Sequence, residues 1–362
     1  MKLSIKTKQF QELVSKAIRC SSNNKLIPIT SYMEIRVTDK RLILTTTDAT
    51  NYFMVSQDID SEEFSIVVEA EKFSKLVSKM TSENLTFVIE KQSFTFSGGK
   101  SNYKIELPLD ADGSVLSRLP LPSMDVDVEP QHIKVADIKS IIATAKSSLA
   151  TTLEVPAFAS YFVGDSVLST DMSRICCIKD KLVDTPVLIS PITMDLLEIM
   201  PEDDEPTINY YSCKDGIVFG TKNCRLITKA SEGIETYLNQ MDVLMGLVDS
   251  TFENVCEVRK DDLLQALDRL SLFVGVYDRN VIQLEFKKDC LVLKNKKNEG
   301  VEELDYIKEC SGVEFSCATD VELLKEQIKV NSTDNVVIHY GLENCIKIID
   351  GNATQIISLI TD

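Results

Sequence analysis

Histidine is nearly missing from this chain: two residues in 362, His132 and His339. Neither keeps the company that a general base or a metal site requires. His339 alternates with apolar neighbours in NVVIHY, as a strand residue on a polar face does. Long apolar runs are missing too. No stretch approaches the roughly 18 consecutive apolar residues of a membrane span. The opening MKLSIKTKQFQEL turns polar after five residues, unlike a secretory leader. A nucleophile–base pair, a phosphate-binding loop and a metal-ligand spacing are likewise absent. These absences argue against an enzyme, a metal, a cofactor and a membrane protein. Asp48 and Asp171 recur in repeats, which marks them as turn formers, since aspartate closes turns through its own side chain.

Cysteine is plentiful but unordered. Cys176 and Cys177 are adjacent, and the other eight are scattered with no C-x-x-C among them. Cys224, Cys290 and Cys345 sit in apolar strand runs, where the thiol packs as a small hydrophobe. A reducing, cytosolic compartment is therefore expected. The Asn-x-Ser/Thr triplets at Asn84, Asn331 and Asn352 are then chance matches.

What the chain does have is a pattern repeated three times. A helix with paired leucines is followed by a polar break and short β-rich runs. Leu76 in KFSKLVSKM leads to NLTFVIE, SFTFSGG and YKIELPL; Leu196 in MDLLEIM leads to TINYY, GIVFG and RLITKA; Leu323 in VELLKEQI leads to NVVIHY, CIKII and TQIISLI. The leucines lie 120 and 127 residues apart. That spacing far exceeds a solenoid unit of roughly 20–50 residues. Three whole domains of one kind are expected, over 1–122, 123–248 and 249–362.

Each repeat also opens with an amphipathic helix. Phe10, Leu13, Val14, Ala17 and Ile18 mark the first, Ile138, Ile141, Ile142 and Ala145 the second, and Leu263, Leu264, Leu267 and Leu270 the third. Six helices are predicted, over 7–20, 71–80, 135–147, 190–200, 259–272 and 319–329. The fold class is α+β: three similar domains of helices packed on antiparallel sheets. A turn recurs at Thr47-Asp48 and Thr170-Asp171, with Lys294-Asn295 in the third place. The pattern lapses over Arg118–Gln131 and Glu232–Val255, where the domain boundaries are placed. Met241–Val248, within the second lapse, is apolar and expected to pack.

The formal charge of −17 at first argues against nucleic acid. Its distribution reverses that. The six helices together carry +2, leaving −19 for everything else. Lys8, Lys16 and Arg19 lie opposite the apolar stripe of the first helix, Lys72, Lys75 and Lys79 do so on the second, and Lys139 and Lys146 on the third. Taken singly these are ordinary solvated faces. Taken together they suit weak contacts to phosphates, independent of base sequence, for which lysine's flexible point charge is apt.

The three-fold plan, the opening MKLSIKTKQFQELVSKA, the TTTD and STDMSR turns and RKDDLLQALDRLSLF together resemble the bacterial DNA polymerase III beta subunit family, the replicative sliding clamps. The resemblance covers the whole chain, and the divergent motifs resemble a phage or mobile-element version. It implies a head-to-tail homodimer closed into a ring, twelve helices lining the hole, around double-stranded DNA held topologically in the cytoplasm. It implies a non-catalytic processivity factor, without a cofactor, and Lys25 in CSSNNKLIP matches a loop that touches DNA. It implies ring closure through edge strands, here Tyr103 and Ile105 in SNYKIEL and the region of Leu272 and Phe273. It implies, finally, a groove that takes short apolar peptides from the polymerase and the clamp loader. The matching positions are Phe158, Thr170, Met172, Ser173, Arg174, Ile175, Leu247, Ile346, Ile356, Ser358, Leu359 and Ile360. Met172 and Ser173 depart from a small residue and a histidine in the family, and the ending SLITD departs from a Met-Pro-Met-Arg-Leu-like one. A monomeric three-domain scaffold that binds partners without encircling DNA remains the alternative.

Overall fold

A computed structural model describes residues 2–90, 93–110, 112–122, 129–152, 154–213, 216–275, 280–308 and 312–360. The chain divides into two compact units, one of residues 1–138 and 192–230, the other of 139–191 and 231–362. Helices α1 (Thr7–Ala17), α2 (Ala70–Ser78), α3 (Val135–Ala145), α4 (Pro191–Ile199), α6 (Lys260–Leu270) and α7 (Val321–Lys329) fall where periodicity predicted them. The first helix of each repeat is shorter than predicted. A 3-10 turn follows each: Ile18–Cys20, Lys146–Ser148 and Ser271–Phe273. Strand hydroxyls tie off two of these ends. Thr46 Oγ1 donates to the Ala17 carbonyl at 2.5 Å, and Ser169 Oγ to the Ala145 carbonyl at 2.7 Å.

In the first unit a four-stranded sheet runs in the order Lys2–Lys6, Asn84–Ile89, Ser93–Gly98, Ser101–Glu106. Between it and helices α1 and α2 lies a phenylalanine core: Phe10, Phe73, Phe87, Phe94 and Phe96, none more than 2% exposed. Phe10 meets Phe87 edge-on at 5.1 Å. Truncating any one of these rings would cost about 3–5 kcal/mol. The unit's other sheet has eight strands. Four come from the first repeat (Phe64–Glu69, Tyr32–Thr38, Arg41–Thr47, Asn51–Asp58) and four from the second (Cys224–Thr228, Gly216–Gly220, Thr207–Cys213, Gln131–Lys134). Antiparallel pairing of Asn51 with Thr228 through Val55 with Cys224 joins the two sets.

The second unit follows the same design. Its eight-stranded sheet joins Val187–Ile189, Tyr161–Val163, Val167–Thr170 and Arg174–Ile178 to Ala353–Ser358, Cys345–Asp350, Asn335–Tyr340 and Asn254–Arg259. The seam runs from Arg174–Ile357 to Ile178–Ala353. A four-stranded sheet, Val301–Asp305, Cys290–Asn295, Val281–Phe286, Phe315–Asp320, completes it. Leu263, Ala266, Leu267 and Leu270 of α6 and Val321, Leu324 and Ile328 of α7 fill the core over these strands.

Glu232–Val255, expected as a lapse between domains, instead holds a fifteen-residue helix, α5 (Ile234–Val248), and the start of the strand Asn254–Arg259. Tyr237, Leu244 and Val248 of α5 are buried against Phe158, Phe162, Leu168, Ile175, Cys177, Cys345 and Ile356. The lapse Arg118–Gln131 includes residues 123–128, and that expected boundary lies outside the described residues. Its described part is held by the buried Glu34, whose Oε2 accepts from the Leu119 amide at 2.9 Å.

Candidate functional site

The recurring turn repeats atom for atom. In Thr47–Asn51, the Thr47 hydroxyl donates to the Asn51 carbonyl (2.7 Å) and accepts from the Ala49 amide (2.9 Å). Asp48 Oδ1 accepts from the amides of Thr50 (2.9 Å) and Asn51 (2.6 Å). In Thr170–Arg174, Thr170 bonds the Arg174 carbonyl (2.7 Å) and the Met172 amide (3.1 Å). Asp171 Oδ1 accepts from Ser173 (2.9 Å) and Arg174 (2.7 Å). The third residue of each turn is left-handed, Ala49 at φ 79° and Met172 at φ 73°. Side chains without glycine's freedom are held there by those bonds.

The last residue of each turn reaches a helix. Asn51 donates to Asp48 Oδ2 and accepts from Thr193 on α4 at 2.8 Å. Arg174 donates Nε (2.9 Å) and Nη2 (2.7 Å) to Asp171 Oδ2, and Nη1 to Glu326 on α7. Beside this pairing, Gln327 of α7 donates to Ser148 Oγ at 2.8 Å. Arg174, expected among the groove positions, is buried and committed to two carboxylates.

The other groove candidates separate into layers. Phe158, Ile175 and Ile356 are buried in the cluster beneath α5, and Leu247 of α5 is half-buried against it. Ile346 and Leu359 belong instead to the core over α6 and α7. Met172 is 69% exposed, Ser358 is exposed, and Ser173 and Ile360 are half-buried. The Ser358 amide donates to the Ser173 carbonyl at 2.8 Å, which sets the chain's end beside the turn. Of the ending SLITD, residues 361–362 lie outside the described residues.

Among the basic candidates of the first unit, Lys8, Lys16 and Arg19 line a cleft of about 500 Å³ with Gln11, Glu12, Ser15 and Ile199. Lys16 donates to the Met200 carbonyl at 3.2 Å and lies 3.7 Å from Glu202. Lys75 pairs with Glu71 one turn back at 2.5 Å, which holds that carboxyl below its ordinary value. Lys25, Lys72 and Lys79 are exposed, with Leu26 beside Lys25 at 90% exposure. In the second unit Lys139 and Lys146 are exposed.

Tyr103 (39% exposed) and Ile105 lie on Ser101–Glu106, an edge strand with one neighbour. Leu272 and Phe273 are exposed at the end of α6, at 82% and 48%. Asn295 donates to the Phe273 carbonyl, tying this turn to the hairpin that enters Val301–Asp305. That strand is the matching edge of the second unit, and the sequence did not single it out.

Burial pushes Cys177 and Cys224 up to about 11, and Cys20 and Cys176 further. His339 is half-buried, and its imidazole is lowered by burial and then by Lys347. Among the described residues, no group of three or more His, Cys, Asp or Glu could hold a metal, and no helix is long and apolar enough to cross a membrane.

The fold is that of the sliding clamps of DNA polymerase. A solved DNA polymerase sliding clamp from Bacillus subtilis matches at a TM-score of 0.86 and 19% identity, covering 100% of this chain and 99% of that one. The beta subunit from the DNA polymerase of Streptococcus pyogenes matches at 0.88 and 19%, covering all of both chains. The DNA polymerase III beta subunit from Thermotoga maritima matches at 0.84 and 14%, covering 100% and 99%. Residues 1–127 match the family "DNA polymerase III beta subunit, N-terminal domain". Comparison with curated proteins finds no match.

Proposed function

We propose that this chain is a non-catalytic processivity factor, a head-to-tail homodimeric ring that encircles duplex DNA and tethers a DNA polymerase. The observation that carries this is the likeness to solved clamps over the full length of both chains, joined to the family match of the first third. Three modules, 1–122, 123–248 and 249–362, would each supply one helical layer. Lys8, Lys16, Arg19, Lys25, Lys72, Lys75, Lys79, Lys139 and Lys146 would face DNA. The edge of Tyr103 and Ile105 in one protomer would meet the region of Leu272 and Phe273 in its partner. A heterologous contact of this kind must close by rotation.

The polymerase and the clamp loader would dock short apolar peptides on the surface formed by Met172, Ser173, Leu247, Ser358 and Ile360. Thr170 and Arg174 shape the turn behind it, and Phe158, Ile175 and Ile356 support it from beneath α5. The compartment would be the cytoplasm. The test is topological: the protein should stay on nicked circular DNA through moderate salt and leave when the circle is linearised. Loss from both forms at the same salt would refute encirclement. Sedimentation separates the monomeric scaffold, since a stable species of 40.5 kDa at micromolar concentration contradicts a dimeric ring.

A further inference from the structure

We propose that the seam of the first unit, where Asn51–Val55 meets Cys224–Thr228, carries a second docking cleft, for a short apolar peptide bearing a carboxylate. The proposal rests on the clamp function above for the existence of such partners, and on the first unit alone for the site. Strand register makes this place the internal counterpart of the surface proposed for partner peptides. Thr47 pairs with Tyr52 as Thr170 pairs with Ile175, and Tyr52 pairs with Ile227 as Ile175 pairs with Ile356. In the same register Ala49 corresponds to Met172, Thr50 to Ser173 and Lys229 to Ser358. One backbone bond confirms it: the Lys229 amide donates to the Thr50 carbonyl at 3.4 Å, as the Ser358 amide does to Ser173 at 2.8 Å. Ala49, Thr50, Tyr52, Ile227 and Lys229 all line one cleft of about 240 Å³.

The two seams differ in what surrounds them, and the difference defines the occupant. In the second unit α5 packs on Ile175 and Ile356. In the first, Pro120, Leu121 and Pro122 complete the lining of the cleft. Tyr52, Leu121 and Pro122 are half-buried over the buried Ile227, so an apolar floor is reached from solvent. Drug-sized ligands fill about 300–1,000 Å³, so this space suits one or two side chains of a peptide better than a whole cofactor. Charge supplies the rest. Arg174 of the second turn is spent on Asp171 and Glu326. Lys229 is exposed beside the apolar lining, and its amine has no ion pair among the described residues. That cation selects a peptide with a carboxylate next to its apolar residues. One lysine is too few for nucleic acid, which is held through several phosphates at once.

The cleft is also built in advance. Thr47 and Asp48 bond the turn that carries Ala49 and Thr50, and Asn51 ties its end to Thr193 on α4. A peptide that meets a preformed wall does not have to order it, and more of its contact energy is kept as affinity.

The test uses the full-length protein and the acetylated peptide Gly-Phe-Leu-Asp amide, with Gly-Phe-Leu-Asn amide as its uncharged twin. Hydrogen exchange, followed as each peptide is titrated, reads the two seams separately. The acidic peptide should protect residues 47–52 and 226–230, with or without protection at 170–175 and 356–360. At the first cleft the uncharged twin should bind about three- to fivefold more weakly, and Lys229→Glu should erase that preference, since the ion pair is an exposed one. Thr50→Trp, which crowds the cleft with an indole, should weaken both peptides there at least about tenfold. Both positions are exposed, so unchanged melting temperatures will certify folding. Protection at the second seam alone, no protection at all, indifference to the peptide's charge, or indifference to Thr50→Trp would each overturn the proposal. Retention on nicked circular DNA should be the same for both variants. Its failure in the unsubstituted protein sinks the clamp function, while the exchange result still decides the cleft.

Discussion

The two turns, 123 residues apart, form an internal control that isolates the worth of one buried cation. Asp48→Ala and Asp171→Ala each remove two carboxylate bonds to backbone amides, worth about 1 kcal/mol apiece. These losses cancel in the comparison. What differs is the third partner. Asp48→Ala also loses a bond from the neutral Asn51 side-chain amide, about 1 kcal/mol. Asp171→Ala strips two bonds from the Arg174 guanidinium, which is 6% exposed and keeps only Glu326. Breaking a buried pair costs about 3–5 kcal/mol, and the surviving carboxylate holds the cost to the lower end. Asp171→Ala should therefore cost about 2 kcal/mol more than Asp48→Ala. Scanning calorimetry at neutral pH should show an extra fall in melting temperature of a few degrees for a unit of this size. Asp171→Asn keeps an acceptor for the amides of Ser173 and Arg174 and loses the charge, so it should fall between the parent and Asp171→Ala. Equal falls for the two alanine variants would refute the idea that Arg174, more than turn geometry, depends on Asp171.

His339 should produce a separate acid limb. Its folded imidazole is held below the ordinary 6.5 by burial and Lys347, so below that pH the unfolded chain takes up a proton that the folded chain refuses. Stability should fall as pH drops below about 6.5, and His339→Gln should flatten that limb; identical slopes would count against it. Glu302, lowered by Arg269, holds its contribution above the ordinary 4.5 and loses it below, so its limb lies at more acid pH. Lys347→Met should speed amide exchange over residues 247–252, because the end of α5 loses its cation, while net stability changes by about 1–2 kcal/mol as the desolvation cost of the buried amine is also relieved. Unchanged exchange there would refute the anchoring role. Lys72→Glu with Lys79→Glu should lower affinity for linear duplex and reduce the salt slope by about one for each phosphate no longer neutralised, with retention on nicked circles little altered; an unchanged slope would place these lysines away from DNA.

Periodicity exposed six helices because each carries apolar residues at helical spacing against a polar opposite face, and each pattern has sibling copies elsewhere in the chain. Helix α5 keeps the same spacing at Ile234, Tyr237, Leu238, Met241, Leu244, Met245 and Val248. It was not legible because it falls where the repeat lapses and has no sibling copy elsewhere in the chain. The turns were legible from Thr-Asp at fixed spacing, since the bonds are local. The destination of Arg174 was not, for Glu326 lies 152 residues further along and nothing in STDMSR encodes it. Ile346 and Ile356 alternate with neighbours in similar apolar strands, so sequence could not tell which face looked toward α5 and which toward α6 and α7. Val301–Asp305 was hidden for the opposite reason. Three of its five residues are carboxylates and only Leu304 is buried, so this edge strand has no run of apolar alternation to reveal it.

The placement of charge bears on how such a protein would hold DNA. In the first unit two of the candidate cations are already engaged by the protein, Lys16 by the Met200 carbonyl and Glu202, and Lys75 by Glu71. Lys8, Arg19, Lys72 and Lys79 stay exposed. A few exposed cations on a body of −17 give a shallow, screened attraction that does not distinguish one base step from the next. Such an attraction is too weak to retain a protein on DNA by contact alone. It is well suited to one retained by closure, because every phosphate bond gained on one step must be given up on the next for sliding to continue.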